Sequence, residues 1–142
     1  MTSLREVYDS FLSKILEDEY GYWTEEEVYA DLYQILRAAI VRFKFPRTNL
    51  AIIDKEKFQS DLSDLEVEIL SSYMVVEWLN RNIMSWEQIK PLYEERDFSQ
   101  ANLIDKLTNL LEVEKKKASE LEGIYYRSVN RKPFNYNKLA EN

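Results

Sequence analysis

The sequence contains no cysteine and no histidine. The first absence excludes a disulfide framework, a thiolate metal site and a cysteine nucleophile. The second removes the usual general base near neutral pH and the commonest metal ligand, so a Ser-His-Asp triad, a His-bearing zinc site and a histidine-based nuclease are excluded. An enzyme built from this chain has only carboxylates, lysine, tyrosine or serine to work with. Glycine occurs twice and proline three times in 142 residues. So few breakers leave long uninterrupted segments, which favours helices over a many-turned β fold. No apolar run approaches the ~18 residues a membrane-spanning helix needs. Residues 1–20 alternate apolar and charged side chains and lack the apolar core of a secretory signal. A soluble protein, intracellular or assembled inside a cell and away from any membrane, is the expectation.

What is present is globular in balance, with 45% hydrophobic and 32% charged residues. A chain of this length suits one domain and buries roughly two-thirds of its unfolded surface, enough for a core without staples. The net charge of −7 is unevenly spread. Residues 1–126 carry 25 acidic and 15 basic side chains, a balance of −10, whereas residues 127–142 set Arg127, Arg131, Lys132 and Lys138 against Glu141, a balance of +3. The body should repel a nucleic-acid backbone, and the tail could contact an acidic surface.

Apolar spacing predicts the helices. Leu4, Val7, Tyr8, Phe11, Leu12, Ile15 and Leu16 form one stripe of a first helix over Thr2 to Asp18. Gly21 can take a positive φ that would terminate it. The aromatics Tyr20, Tyr22 and Trp23 read as a packing wedge before they read as a ligand platform. Thr24 with Glu27 is a capping box for a second helix, whose buried face is Val28, Leu32, Ile35, Leu36, Ala39, Ile40 and Phe43. Its first-turn glutamates complement the helix dipole; adjacent helical carboxylates do not converge on one metal ion. Pro46 excludes Phe45 from helical geometry and ends the segment. Ser63 with Glu66 is a second capping box, opening a third helix that runs through Ile83 and is apolar nearly all round. Such a helix is central in its fold or buried between subunits. Ser85 is expected to cap a short fourth helix, Trp86 to Tyr93, bent or ended by Pro91. A last helix is expected from Gln100 to Arg127, striped by Leu103, Leu107, Leu110, Leu111, Ala118, Leu121, Ile124 and Tyr125, with Glu112–Lys116 as an i,i+4 pair. At 1.5 Å per residue it reaches roughly 40 Å, so one end is expected to project beyond the core to meet a partner.

Between the second and third helices, Arg47 to Leu62 has no helical period but contains Leu50, Ile52, Ile53 and Phe58. So long an irregular stretch is often functional, and its apolar side chains must pack on their own core or on a neighbouring chain, as a short hairpin or as an extended arm. Residues 128–142 form an extended tail in which Arg131, Lys132, Phe134 and Tyr136 mix cations with aromatics. The fold expected is therefore all-α: a bundle of four to five helices over 1–127, with a middle arm at 47–62 and a basic-aromatic tail at 128–142.

The order of four stretches carries a resemblance. They are Leu4 to Leu12, Leu36 to Leu50 across Phe43-Lys44-Phe45-Pro46-Arg47, Ile69 to Ile83 with Met74 and Trp78-Leu79, and Asp97 to Asn102 followed by the long helix and Tyr125-Tyr126-Arg127. In that order the chain resembles the head–tail connector (adaptor) proteins of tailed bacteriophages. The resemblance covers most of residues 1–127; its motifs are loose, and their order and spacing carry it.

It implies a non-enzymatic structural subunit without cofactor or metal, assembled in the host bacterial cytoplasm into a homo-oligomeric ring, a dodecamer, in the virion neck. The ring would join the portal protein to a head-completion (stopper) or tail protein and continue the channel through which DNA passes without sequence-specific binding. An acidic wall suits that channel, since attraction to phosphates would hold DNA in transit. The resemblance also implies intersubunit or partner contacts by the arm and the chain's ends, here Phe45, Arg47, Leu50, Ile52, Ile53, Phe58, Arg127, Arg131, Lys132, Phe134 and Tyr136.

Three other readings stand beside it. A small cytoplasmic helical interaction or regulatory factor would share the composition and the helical pattern. A carboxylate-based, metal-dependent nuclease would need Asp18, Glu19, Glu94, Glu95 and Asp97 gathered into one pocket. Specific DNA binding would rest on base stacking by Phe134 and Tyr136, against a strongly acidic body.

Overall fold

Three helices open on a hydroxyl that accepts a backbone hydrogen bond. Ser3 Oγ accepts from the Arg5 N–H at 3.2 Å and Thr24 Oγ1 from the Glu27 N–H at 3.2 Å. The box at Ser63 is reciprocal: Ser63 Oγ accepts from the Glu66 N–H at 3.2 Å, and Glu66 Oε1 accepts from the Ser63 N–H at 2.8 Å. These caps open α1 (Leu4–Leu12), α2 (Glu25–Arg42) and α3 (Asp64–Ile89); α4 spans Asp97–Arg131. The structure, a computed structural model, describes residues 1–15, 21, 23–89 and 97–131, and of residues 86–89, 97–101 and 129–131 the backbone alone.

The chain is a helical bundle built around α3, as its all-round apolar surface requires. α1, α2 and α4 all pack on it. Its Ile69, Leu70, Met74, Val75, Val76 and Leu79 meet Leu4, Val7 and Phe11 of α1 and Leu32, Ile35, Leu36 and Ala39 of α2 in one core, with Leu111 and Tyr125 of α4 closing the far side. Ion pairs tie the polar margins: Lys14–Glu68 at 2.7 Å, Arg42–Glu77, and Arg81 in a two-toothed grip on Asp31 at 2.6 and 3.1 Å. No helix among the described residues is long and apolar enough to cross a membrane.

Several boundaries differ from expectation. α1 stops at Leu12 instead of Asp18. Ser13 diverts its hydroxyl to the Ser10 carbonyl at 2.6 Å, and the Lys14 N–H reaches back only three residues, to Phe11 at 2.9 Å, which tightens and ends the turn. Gly21 lies nine residues beyond the end of α1 and is not its terminator. α2 ends at Arg42, with Phe43 already extended as its C-cap, three residues ahead of Pro46. Ser85 caps nothing: α3 continues through it to Ile89, because neither glycine nor proline interrupts the chain there. α4 begins at Asp97 and runs to Arg131, so Arg131 lies in the helix and not in the tail. At 35 residues it is about 50 Å long at 1.5 Å per residue. Its charges pair three residues apart, Glu112–Lys115 at 3.8 Å and Glu114–Lys117 at 3.5 Å, in place of Glu112–Lys116.

The segment 47–62 is a hairpin. β1 (Ile52–Ile53) pairs antiparallel with β2 (Lys57–Phe58), Ile52 opposite Phe58 and Ile53 opposite Lys57. The turn places Asp54 and Lys55 at φ 55° and 58° and closes with the Glu56 N–H on the Ile53 carbonyl at 3.1 Å. Positive φ at both central residues matches the twist of a tight hairpin. The hairpin does not stand away from the bundle. Phe58 is fully buried, and the segment before α1 runs along β2: the Phe58 N–H donates to the Thr2 carbonyl at 2.8 Å and the Leu4 N–H to the Glu56 carbonyl at 2.9 Å. Phe58 is thus a core residue of its own chain and offers no surface to a neighbour, a correction to its expected interface role.

Candidate interaction surface

Two clusters of tyrosine flank the hairpin. The first joins α3, α4 and the stretch after α2. Tyr125 packs edge-on against Phe43, ring centroids 5.4 Å apart. Its hydroxyl accepts from the Arg47 N–H at 2.8 Å and donates to Glu66 Oε2 at 3.0 Å. The next residue repeats the pattern. The Tyr126 hydroxyl accepts from the Phe45 N–H at 3.1 Å and donates to Glu122 Oε2 at 2.8 Å, while the Tyr73 hydroxyl donates to Glu122 Oε1. Glu66 and Glu122 are both buried; Glu122 accepts from two tyrosine hydroxyls, and Glu66 from one and from the Ser63 N–H. Burial foremost raises the pKa of all three phenols, and donation to the carboxylates raises them further; the backbone N–H groups of Arg47 and Phe45 act oppositely on Tyr125 and Tyr126. The phenols stay protonated and act as donors, so the clamp fixes the backbone of residues 43–47 to α4.

That fixed corner carries the most exposed large apolar side chains near the hairpin, Val41 at 82% and Phe45 at 70%. Phe45 still touches Tyr126, its ring centroid 6.3 Å away, so it is held and not loose. Arg47 is exposed beside it; Leu50, Ile52 and Ile53 are half-buried. Leu50 and Ile52 face Ile40, Val41 and Arg37 across a groove of about 430 Å³ between α2 and the hairpin. Of the sequence-predicted contact residues, Phe45, Arg47, Leu50, Ile52 and Ile53 therefore fall in one region. Arg127 is exposed on α4, and Arg131 lies at the end of α4 with only its backbone described. Lys132, Phe134 and Tyr136 lie outside the described residues, as do Asp18, Glu19, Glu94 and Glu95; no metal-holding carboxylate group is present among the described residues. On α4, Leu110, Val113 and Ile124 are about half exposed, so Leu110 and Ile124 leave the expected stripe while Leu111, Ala118 and Tyr125 keep it.

The second tyrosine cluster lies on the other side of the hairpin turn. Tyr8 of α1 and Tyr29 of α2 stack at a tilt, centroids 6.1 Å apart. The Arg5 guanidinium lies 5.4 Å over Tyr29; Lys55 and Arg37 lie 5.6 and 5.9 Å over Tyr33. Tyr8 is only 4% exposed, and burial, with Tyr33 and Tyr29 nearby, pushes its phenol up to about 12. A pocket of about 470 Å³ opens here, lined by Ser3, Arg5, Tyr8, Tyr29, Lys55 and Glu56.

Val41 was not anticipated. Its place opposite Leu36 and Ala39 on α2 was the available signal, a valine on an otherwise polar face. Glu66 was read only as a cap, and Glu122 was not singled out. Glu122 lies four residues beyond Ala118 and three before Tyr125, in line with buried positions, which marks it as a charge the fold must satisfy. Comparison of the chain with protein-family models, curated proteins and solved structures returns no match.

Proposed function

We propose that this chain is a structural subunit of a tailed-phage neck, a connector that forms a ring between the portal and the next head-completion or tail protein around the DNA channel. The observation that carries the reading is the corner at Val41 and Phe45. Val41 stands in solvent on α2 and Phe45 on a backbone pinned by Tyr126, so covering them costs little ordering. A rigid apolar surface beside a groove is the kind of surface that protein partners cover. The half-exposed Leu110, Val113 and Ile124 of α4 supply a second, different surface. Two unlike faces on one subunit permit head-to-tail contacts, the type that closes into rings. The order of sequence stretches points the same way, and the clamp joins two of them, Phe43 to Arg47 and Tyr125-Tyr126.

The test is the mass of the purified chain alone and mixed with the portal of its own phage, read by native mass spectrometry. A ring, free or on the portal, is the expected result. Val41→Glu with Phe45→Glu should abolish it while the helical circular dichroism persists. A single copy bound to one host protein, with no ring under any condition, favours the small helical interaction factor instead. Deleting residues 128–142 is expected to weaken joining to the neck and leave the fold intact; normal stoichiometry without them removes the tail from the account.

A further inference from the structure

The pocket beside Tyr8 has donors and no internal use for them. Among the described residues the Tyr8 hydroxyl makes no hydrogen bond, although the side chain is more than nine-tenths buried and lines the cavity. A buried phenol in that condition forgoes the bond it would make with water, a cost of about 1–3 kcal/mol unless something enters the pocket to take it. Arg5 and Lys55 stand at the same opening. In a chain of net charge −7 with acids to spare, neither is ion-paired among the described residues; each rests on a tyrosine face instead. A cation on an aromatic face keeps its N–H groups directed outward. Glu56 is the one acid lining the cavity, and its backbone carbonyl is tied to the Leu4 N–H. The balance at the opening is one positive charge.

We infer that this pocket binds a carboxylate side chain of a partner protein, held by Arg5 and Lys55 and reached from within by the Tyr8 hydroxyl. One net charge, with uncharged donors beneath it, suits a monoanion better than a phosphate. A nucleic acid would need a broad basic surface, which this acidic chain lacks. A second groove adjoins the pocket where Lys55 lies over Tyr33. Lys55 and Arg37 share the Tyr33 ring, and Tyr33 lines the apolar stretch between Ile40, Val41, Leu50 and Ile52. From Tyr29 to Val41 along α2 is about 18 Å at 1.5 Å per residue. An extended segment covers that in about five to six residues. The segment recognised therefore carries an acidic residue at one end and an apolar residue about five positions away. The acid-binding pocket stands apart from ring formation, and only the apolar end of the segment, at Val41, rests on the surface proposed above.

The test is a titration of the isotope-labelled full chain, followed by amide resonances, with three probes: N-acetyl-aspartate N-methylamide, its asparagine counterpart and inorganic phosphate. Saturable shifts at Ser3, Arg5, Tyr8 and Tyr29 with the aspartate probe alone are expected. Arg5→Gln with Lys55→Gln should weaken that binding by about tenfold or more, since both charge-assisted bonds are lost. Tyr8→Phe, which changes no packing, should weaken it severalfold. Equal response to the asparagine probe, tighter binding of phosphate, or unchanged affinity in either variant overturns the inference, as does the absence of any saturable shift.

Discussion

The two tyrosine clusters use one side chain in opposite ways. Around α4, Tyr73, Tyr125 and Tyr126 direct their hydroxyls into Glu66 and Glu122. Every polar group there is satisfied inside the chain, and the product is a fixed backbone at Phe45 and Arg47. Around α1, Tyr29 offers its face to Arg5 and Tyr33 to Lys55 and Arg37, Tyr8 packs on Tyr29, and the three hydroxyls take no protein partner among the described residues. The first arrangement builds structure. The second leaves donors available to something outside. The difference separates residues whose loss should unfold the chain from residues whose loss should only change what it binds.

The largest effect that can break this comparison is collective. Tyr8, Tyr73, Tyr125 and Tyr126 all have phenols raised above the ordinary value of 10.0. Below pH 10 both folded and unfolded states keep these protons, so stability is level with respect to them. Above it the unfolded chain releases protons that the folded chain retains, and stability falls as pH rises through 10 towards 12 and beyond. Absorbance of phenolate and circular dichroism, followed together, should show these tyrosines ionising only as the helices melt. Full ionisation of every tyrosine in a folded chain would contradict the clamp.

Phe58→Ala comes next, with an expected loss of about 3–5 kcal/mol in urea unfolding, because a fully buried ring leaves a cavity. A loss below about 1 kcal/mol would return the hairpin to the status of a detachable arm. Glu66→Ala should cost about 2–3 kcal/mol, since it strips the cap of α3 and leaves the Tyr125 hydroxyl without its acceptor. The sharpest contrast is smaller. Tyr125→Phe should cost about 1 kcal/mol, whereas Tyr8→Phe should leave stability within about 0.5 kcal/mol or raise it, because no protein bond is lost. Equal losses at the two sites would erase the distinction between the clusters.

Much of the bundle was legible in the sequence. Ser63 with Glu66 gave a complete capping box, Thr24 its start of α2, and α3 its central place through an apolar surface that no single neighbour could cover. These are local or periodic signals, and local physics decides them. The clamp was not legible. Glu66 and Tyr125 lie 59 residues apart, Glu122 and Tyr73 49, and a hydroxyl–carboxylate pair leaves no period by which to find it. The helix ends failed for a related reason. Ser13 and Ser85 are the same residue type, but one turned its hydroxyl onto the backbone and ended α1, while α3 passed through the other. Of the candidate surface, Arg47 to Leu62 was recognised as a unit by its lack of helical period, but Val41, within a regular helix, was not. The pocket at Tyr8 was not foreseen at all: Tyr8 sat on the apolar stripe of α1, and nothing in the spacing says that its hydroxyl lacks a partner.

The central claim is that the corner held by Tyr125 and Tyr126 is a protein-covered face in an assembled neck. An electron cryomicroscopy map of the virion neck, at a resolution that traces helices, tests it most directly. The account predicts a ring of this chain beneath the portal, with Val41 and Phe45 of each copy against the density of another protein chain. A map in which those side chains face open solvent, or particles that lack the chain, would contradict it.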